Sequence, residues 1–511
     1  MKLSVQLPIL LAQNLNQTGR KLQKKPDRQP DLQKNQTGGD QDNHFNLFIH
    51  IMKNKKITYL FFVLGIISSA PSQSAYDAIH LMDREIGFGT RPLSMGGAFT
   101  GLADDYTAIY WNPAGLGSIS TPEIYTELSH LNFNNQATFL GNMNSDNQSF
   151  TRFRSFGLAM PVSTTRGSLV WAIGYNRILD FDDNLMFNGS SGISNDIGFY
   201  LNEDTTFYLF DGVQNGEVYR HEQVQSEGGL RQISFGGALA LSQKFTIGVM
   251  LGLLGGTEEY RLHFSQMDSD NNYLDYPADF DEYQVIQILR SDIRAFSLKL
   301  GGMLHLVRGL KMGGVITFPS VYQIDEIHSM SDKLIFDDGF TDQTEETGEW
   351  FYKVQSPFVF DYGLSYSNTF ITLAASGRYR DWSQTRFEVG RNNYDDEDYR
   401  RFLEENTQIR SVYHPTLEYH FGGEVNLGIF NTQLRAGYAL FPSPKKVVID
   451  RNQDKETISG GLSIGLDENV NLDVTFLRNR WSRYSADIYT PGGVSENIYT
   501  NHLLIGFSYS F

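Results

Sequence analysis

The stretch "FTIGVMLGLL", residues 245–254, alternates large apolar side chains with smaller ones. In an extended chain Phe245, Ile247, Val249, Leu251 and Leu253 fall on one face, and Thr246, Gly248, Met250 and Gly252 on the other. That period of two belongs to a strand and not to a helix. "RQISFGGALAL" (231–241) repeats it, setting Ile233, Phe235, Leu239 and Leu241 opposite Ser234, Gly236, Ala238 and Ala240. So does "SPFVFDYGLSY" (356–366), with Phe358, Phe360, Tyr362, Leu364 and Tyr366 facing away from Val359, Asp361, Gly363 and Ser365.

Outward from these segments, fourteen candidate strands lie between residues 123 and 511. Their connections alternate, a long polar loop and then a tight turn such as "SQK", "VRG", "YSN", "GIFN" or "LDEN". A soluble sandwich has no reason to lengthen every second connection, whereas a membrane barrel has short turns on one side and long loops on the other. The expected fold is therefore all-β: a transmembrane antiparallel barrel of 14 strands, closed so that no backbone group is unpaired in hydrocarbon. Apolar faces then meet lipid, and the register puts Lys299, Lys311, Asp361, Arg378, Glu418, Glu424, Arg435 and Asp473 in the lumen. The chain ends "NHLLIGFSYSF", with Leu503, Ile505, Phe507, Tyr509 and Phe511 on one face. Such an ending resembles the recognition signal of bacterial outer-membrane barrels.

At the other end, Met52-Lys53-Asn54-Lys55-Lys56 precedes "ITYLFFVLGIISS", a basic region followed by an apolar run too short to span a bilayer. Residues 52–75 read as a secretory signal peptide cleaved after Ser74 or Ala75. Residues 1–51 then read as a mis-called start or a disordered extension. These expectations place the protein in the cell outer membrane of a Gram-negative-type envelope. The 511-residue chain has no cysteine, which excludes a disulfide scaffold, a thiolate metal site and a lipidated cysteine. Its net charge is −17, and residues 1–75 hold ten Lys/Arg against four Asp, leaving −23 on residues 76–511. An acidic exported chain is a poor nucleic-acid binder, because phosphate neutralisation needs clustered Lys and Arg.

Catalytic constellations are missing from the sequence, so an enzyme is not expected, nor a catalytic residue, a cofactor or a metal. "GLSIG" (461–465) matches G-x-S-x-G, yet Ser463 lies mid-strand and lacks the strand-to-helix turn that would present it. No His pair has zinc-protease spacing. Acidic runs such as "DFDDN", "MDSDNN", "YDDEDY" and "DRNQDKE" read as solvated loops, without the EF-hand pattern. Aromatic residues crowd the expected outer loops. In "PADFDEYQVIQILRSD" Asp279 and Glu282 have capping-box spacing, and Tyr283, Ile286 and Leu289 could share a helical face with Val285; the alternative is that such segments fold onto the barrel mouth or simply extend the strands.

Ahead of the first strand lies "RPLSMGGAFTGLADDYTAIYWNPAGLG" (91–117), built largely from small residues. Asn112 can cap a short helix, with Pro113 in its first turn where no N–H is needed. Gly96, Gly97, Ala98, Gly101 and Ala103 permit close approach to other backbone. If ordered, the segment belongs in the lumen, so residues 76–122 are read as a hatch or plug and 123–511 as the barrel.

With its Asn112-Pro113-Ala114 box, its strand count, "LRAGYALFPSP" (434–444), "GGLSIGLDENVNLDVTF" (460–476) and terminal Phe511, the sequence resembles the long-chain fatty acid transporter family of outer-membrane proteins, also called the aromatic hydrocarbon transporter family. The resemblance covers nearly all of residues 76–511. It implies a fourteen-stranded barrel with an N-terminal hatch, passing hydrophobic small molecules by passive diffusion. In that family the substrate enters by an outer groove, moves to a pocket by the hatch and leaves laterally at a kink in the third strand. The box carries over to Asn112, Pro113 and Ala114 as hatch elements, and the third strand, near 168–178, includes Gly174. Phe99, Leu102, Tyr110, Trp111, Tyr283, Ile286 and Leu289 are candidate contacts for a hydrophobic ligand. Outer-membrane lipid and lipopolysaccharide are the expected surroundings. The "RPLSMGGA…WNPAGL" form also resembles a branch of the superfamily that serves as secretion shuttle or attachment proteins, which would bind a protein partner instead.

Overall fold

Antiparallel pairing runs in an unbroken circuit through the chain. β1 (Glu123–Phe139) pairs with β2 (Asn142–Val162) on one side and with the last strand, β20 (Val494–Ser510), on the other, which closes a barrel. The computed structural model describes residues 74–511 except 84, 166, 203–204, 209–215, 275–278, 391–395, 429–430 and 447–452. The signal peptide and the first 51 residues read from the sequence lie outside the described residues, Ser74 and Ala75 apart.

Eighteen strands share the sheet, and four of them continue the traverse of the strand before. β3 (Leu169–Asp180) runs on into β4 (Asp183–Ser191), and both pair with β7 (Val218–Ala240). β8 (Phe245–Met267) and β9 (Phe280–Val307) follow. Next come β10 (Leu310–Thr317) with β11 (Val321–Phe336), β12 (Thr341–Gln355) with β13 (Val359–Ser367), and β14 (Ile371–Asp381) with β15 (Arg386–Phe387). β16 (Pro415–Asn426), β17 (Gln433–Phe441), β18 (Lys455–Gly465) and β19 (Val470–Ser485) complete fourteen traverses. All fourteen strands expected from the sequence are present.

The two faces divide as the alternation requires. Phe245, Ile247, Val249, Leu251 and Leu253 point outward at 39–62% exposure, as do Phe358, Phe360, Tyr362, Leu364 and Tyr366. So do Leu503, Ile505, Phe507, Tyr509 and Phe511. A belt this apolar is unfavourable in water at about 25 cal/mol per Å² and is the surface a bilayer solvates. The register charges lie inside: Lys299, Asp361, Arg378, Glu418, Glu424, Arg435 and Asp473 are all buried, and Lys311 is nearly so.

Three local expectations need correction. Residues 280–289 are not helical: they open β9, a strand of 28 residues, because alternation of Tyr283, Val285 and Gln287 toward the interior outweighs the capping-box spacing. Two expected loops are instead hairpins, since β1 and β2 run to a turn at Leu140-Gly141, and β11 and β12 to a turn at 337–340. The asymmetry between the two ends therefore comes partly from strand overhang. The acidic run near 394 leads into a helix, Asp396–Val412.

Gly192–Glu217 with Ala486–Gly492 form a separate compact unit. Within it β5 (Gly198–Asn202) pairs with β6 (Thr205–Tyr208), and the Asn195 side-chain amide donates to the Tyr489 carbonyl at 3.2 Å.

Candidate functional site

The N-terminal segment lies inside the circuit of strands. Three short helices, α1 (Ala75–Asp83), α2 (Thr90–Ser94) and α3 (Ala108–Trp111), precede a 3-10 turn, Pro113–Ser118. Asn112 organises that turn. Its Oδ1 accepts from the Ala114 N–H at 3.1 Å, while its Nδ2 donates to the Thr100 carbonyl at 2.9 Å and to Gly302 of β9 at 3.2 Å. Pro113 occupies the first turn, where a missing N–H loses nothing.

The wall is recessed to receive this segment. At its level the inner faces of β8, β9, β10, β13, β16, β17, β18 and β20 present Gly248, Gly301, Gly313, Gly363, Gly422, Gly437, Gly461 and Gly506. A Cβ on Gly437 would sit 2.1 Å from the Gly96 nitrogen, and one on Gly313 2.0 Å from the Thr100 oxygen. Backbone thus meets backbone, and strand side chains donate to carbonyls of the segment: Thr475 to Thr90 (2.9 Å), Ser459 to Ser94 (3.0 Å) and Ser365 to Gly101 (2.8 Å). Tyr106 enters between Gly157 of β2 and Gly174 of β3, its hydroxyl donating to Asn176 Oδ1 at 3.1 Å.

Charge fixes the same arrangement. Arg91 reaches both oxygens of Glu424, and Arg435 bridges Glu424 (2.7 Å) to Asp473. Arg378 pairs with Asp361 at 2.6 Å. Lys299 donates to the Tyr110 carbonyl at 3.1 Å, its ammonium 3.8 Å from the centre of the Tyr110 ring, and Tyr110 in turn donates to Glu85. Each of these buried charges has an opposite or polar partner, the condition for keeping it in a narrow interior.

Toward the long-loop end the interior changes character. Ile178, Leu179, Phe181, Leu230, Leu254, Ile293, Tyr322, Ile324, Tyr352 and Val354 form an apolar wall, completed by Trp382, Phe387 and by Phe402, Ile409 and Tyr413 at the helix α4 (Asp396–Val412). α1 fills this chamber with Ala75, Ala78, Ile79, Leu81 and Met82. Its N-terminus donates to Glu405 of α4 at 2.6 Å, Arg380 donates to its Met82 carbonyl at 3.0 Å, and His80 lies 3.1 Å from Glu258.

One seam in the wall is not laddered. β2 and β3 pair from Val162↔Leu169 to Ser155↔Asn176 and no further. Past that point β2 pairs only with β1, and β3, after a register shift between Arg177 and Leu179, only with β7. Side chains cross the gap instead: Arg152 to Asp182 at 2.7 Å, Arg154 to Asp180 at 3.0 Å and the Asn135 amide to the Asn184 carbonyl at 2.7 Å.

The candidate residues from the sequence fall into groups. Phe99, Leu102, Tyr110 and Trp111 are buried within the plugging segment and already have partners: Arg91 stands over the Phe99 ring, and the Trp111 indole donates to Phe88 at 2.9 Å. On β9, Tyr283 and Leu289 share the inner-facing register, while Ile286 has the opposite parity and is 47% exposed. Gly174 is fully laddered, opposite Gly157 and Ser234, and the seam begins two residues beyond it. Sequence reasoning missed α1, α4 and the aromatic chamber. The 402, 409, 413 spacing of Phe, Ile and Tyr was the available signal for α4. Among the described residues no group of three or more His, Asp or Glu side chains is placed to hold a metal ion.

Solved structures share this architecture. A Pseudomonas aeruginosa FadL homologue aligns over 83% of this chain and 98% of its own at 10% identity, with a TM-score of 0.53. The P. putida toluene transporter TodX aligns over 84% and 99% at 12% identity, with a TM-score of 0.52. No protein-family model and no curated protein sequence matches the chain. The likeness is one of fold.

Proposed function

We propose that this barrel resides in the outer membrane and passes hydrophobic small molecules across it, with the N-terminal segment as its hatch. The observation that carries the reading is the two-zone lumen: an apolar chamber at the long-loop end, filled by α1, above a polar zone closed by residues 85–119. A general porin has no use for either. An apolar ligand gains about 25 cal/mol for each Å² withdrawn from water, and a chamber lined by Leu179, Phe181, Tyr352 and Phe402 offers such a surface wherever α1 yields it. Binding needs no covalent step, and release requires a rearrangement that reshapes the site. The β2–β3 seam, held by Arg–Asp pairs in place of ladder bonds, is the candidate lateral exit. TodX is described as a toluene transporter, which makes monoaromatic hydrocarbons and long-chain fatty acids the first ligands to test.

The test is uptake of radiolabelled oleate and toluene by cells lacking the gene and complemented with it, beside direct binding to purified protein. Uptake that depends on the gene, lost when residues 76–90 are shortened while heat-modifiable folding persists, is the expected result. Gene-independent uptake of every hydrophobic compound, with exported proteins trapped or unprocessed in the deletion strain, would assign the chain to secretion instead.

A further inference from the structure

On the outer wall, β18, β19, β20, β1 and β2 lie side by side, and their register defines rows of outward residues. One row, Leu462, Val474, Ile505, Leu128 and Phe153, is wholly apolar. Moving toward the long-loop end, the next is Gly460, Phe476, Leu503, His130 and Thr151. Then the surface changes: Ile458, Arg478, Asn501, Asn132 and Ser149 are followed by Glu456, Arg480, Tyr499, Asn134 and Asn147. Asn497, Gln136 and Ser145 come above them.

Two guanidiniums stand at this boundary. Arg478 and Arg480 are exposed and lie 5.2 and 5.9 Å from the Tyr499 ring centre. Neither has a carboxylate within ion-pair distance among the described residues, although Glu456 is the register partner of Arg480. Asn132, Asn134, Gln136, Arg478, Tyr499 and Asn501 line a shallow depression of about 390 Å³. Asn132 is held in place by donating to Asn147 (2.6 Å) and Ser149 (3.0 Å).

We propose that this face binds the phosphorylated headgroup of a glycolipid whose acyl chains lie on the apolar rows below. The inference rests on the outer-membrane placement proposed above. Unpaired, aromatic-backed guanidiniums suit phosphate, which they can hold through two N–H donors each. The amide-rich rows offer donors and acceptors to sugar hydroxyls. Successive outward residues on a strand are about 6.7 Å apart, so the three polar rows extend about 13 Å along the strands. A glycerophospholipid headgroup layer occupies only about 5–8 Å on each side of a bilayer. A phosphorylated saccharide fills the remainder.

The experiment titrates purified protein with a bisphosphorylated, hexa-acylated lipid A bearing core sugars, in magnesium-free detergent, and reads the complex by native mass spectrometry. Arg478→Gln/Arg480→Gln should weaken binding by about tenfold for each guanidinium removed. Arg478→Lys/Arg480→Lys, which keeps the charge and loses the fork, should bind between wild type and the Gln variant, and a dephosphorylated glycolipid should bind wild type and variants alike. Equal binding of the phosphorylated glycolipid to wild type and the Gln variant overturns the proposal, as does equal competition by phosphatidylglycerol. Oleate binding in the lumen is measured on the same samples. If it persists while the glycolipid effect is absent, the site fails and the transport reading stands; if only the glycolipid binds, the reverse holds.

Discussion

Arg91 in the N-terminal segment forks onto Glu424 in the barrel wall, its Nε and Nη2 each 2.9 Å from a carboxylate oxygen. Glu424 also accepts from Arg435, so the wall retains its own pair when the segment leaves. Release of the segment would therefore strand no carboxylate in the wall. Arg91→Gln should loosen docking by about 2 kcal/mol, the size of a charge-assisted hydrogen bond. Amides of residues 90–118 should then exchange roughly thirtyfold faster, while the barrel stays heat-modifiable. Glu424→Gln removes the shared acceptor but leaves Arg435 on Asp473 and Arg91 on Asp104, so it should weaken docking as Arg91→Gln does and in addition lower the stability of the wall, by about 1–3 kcal/mol. Equal effects of the two variants on barrel melting would contradict this division.

The glycine recess makes a sharper claim. Gly437→Val places its first carbon 2.1 Å from the Gly96 nitrogen and 2.3 Å from the Met95 carbonyl carbon, backbone that cannot step aside. The variant should still fold as a barrel but expel the segment, raising single-channel conductance in planar bilayers. Gly460→Val, on the outward face with nothing nearer than 3.7 Å, should leave conductance unchanged.

What could be read from the sequence follows solvent. Where one face meets lipid and the other the lumen, the period of two is strong, and Phe245–Leu253 or Leu503–Phe511 announce themselves. Past Phe133 the outward face turns polar and Asn135 interrupts the inner one, so the period fades although β1 and β2 continue and Ala137 and Phe139 still pack inward. α1 begins at the expected cleavage junction, and its nine residues are too few for the 3.6 period of Ala75, Ala78, Ile79 and Met82 to stand out. α4 reads as a solvated acidic loop unless Phe402, Ile409 and Tyr413 are placed on one face. The seam has no sequence signature at all, because it arises from a register shift at Arg177–Leu179 and from Arg–Asp partners distant in the chain.

Because the chain lacks cysteine, the seam can be tested by cross-linking. Arg152→Cys/Asp182→Cys, bridged by a short bifunctional thiol reagent, should bind hydrophobic ligand as the parent does and fail to deliver it. Either single variant treated with the same reagent should deliver normally. Full delivery by the bridged protein would place the exit elsewhere.

Docking of the segment should also depend on pH. Asp105 lies where the segment meets the first strand: Asp104 is its neighbour, Arg91 is 3.7 Å away, and Glu123 accepts the Tyr106 N–H at 3.2 Å. Burial pushes the Asp105 carboxyl up to about 6, against the pull of Arg91 and with some help from Asp104. A carboxyl raised on docking favours the docked state when protonated. Its contribution is full below the ordinary aspartate value near 3.9 and is lost as pH rises through about 6. Through Asp105 alone, opening of the segment should therefore become about tenfold more frequent between pH 5 and pH 8. Amide exchange of residues 100–110, corrected for the intrinsic pH dependence, measures this. Asp105→Asn should remove about tenfold of this change and leave the part that follows the neighbouring Glu123 carboxyl, which accepts the Tyr106 N–H. A parent profile that is already flat would mean that docking does not follow the Asp105 proton.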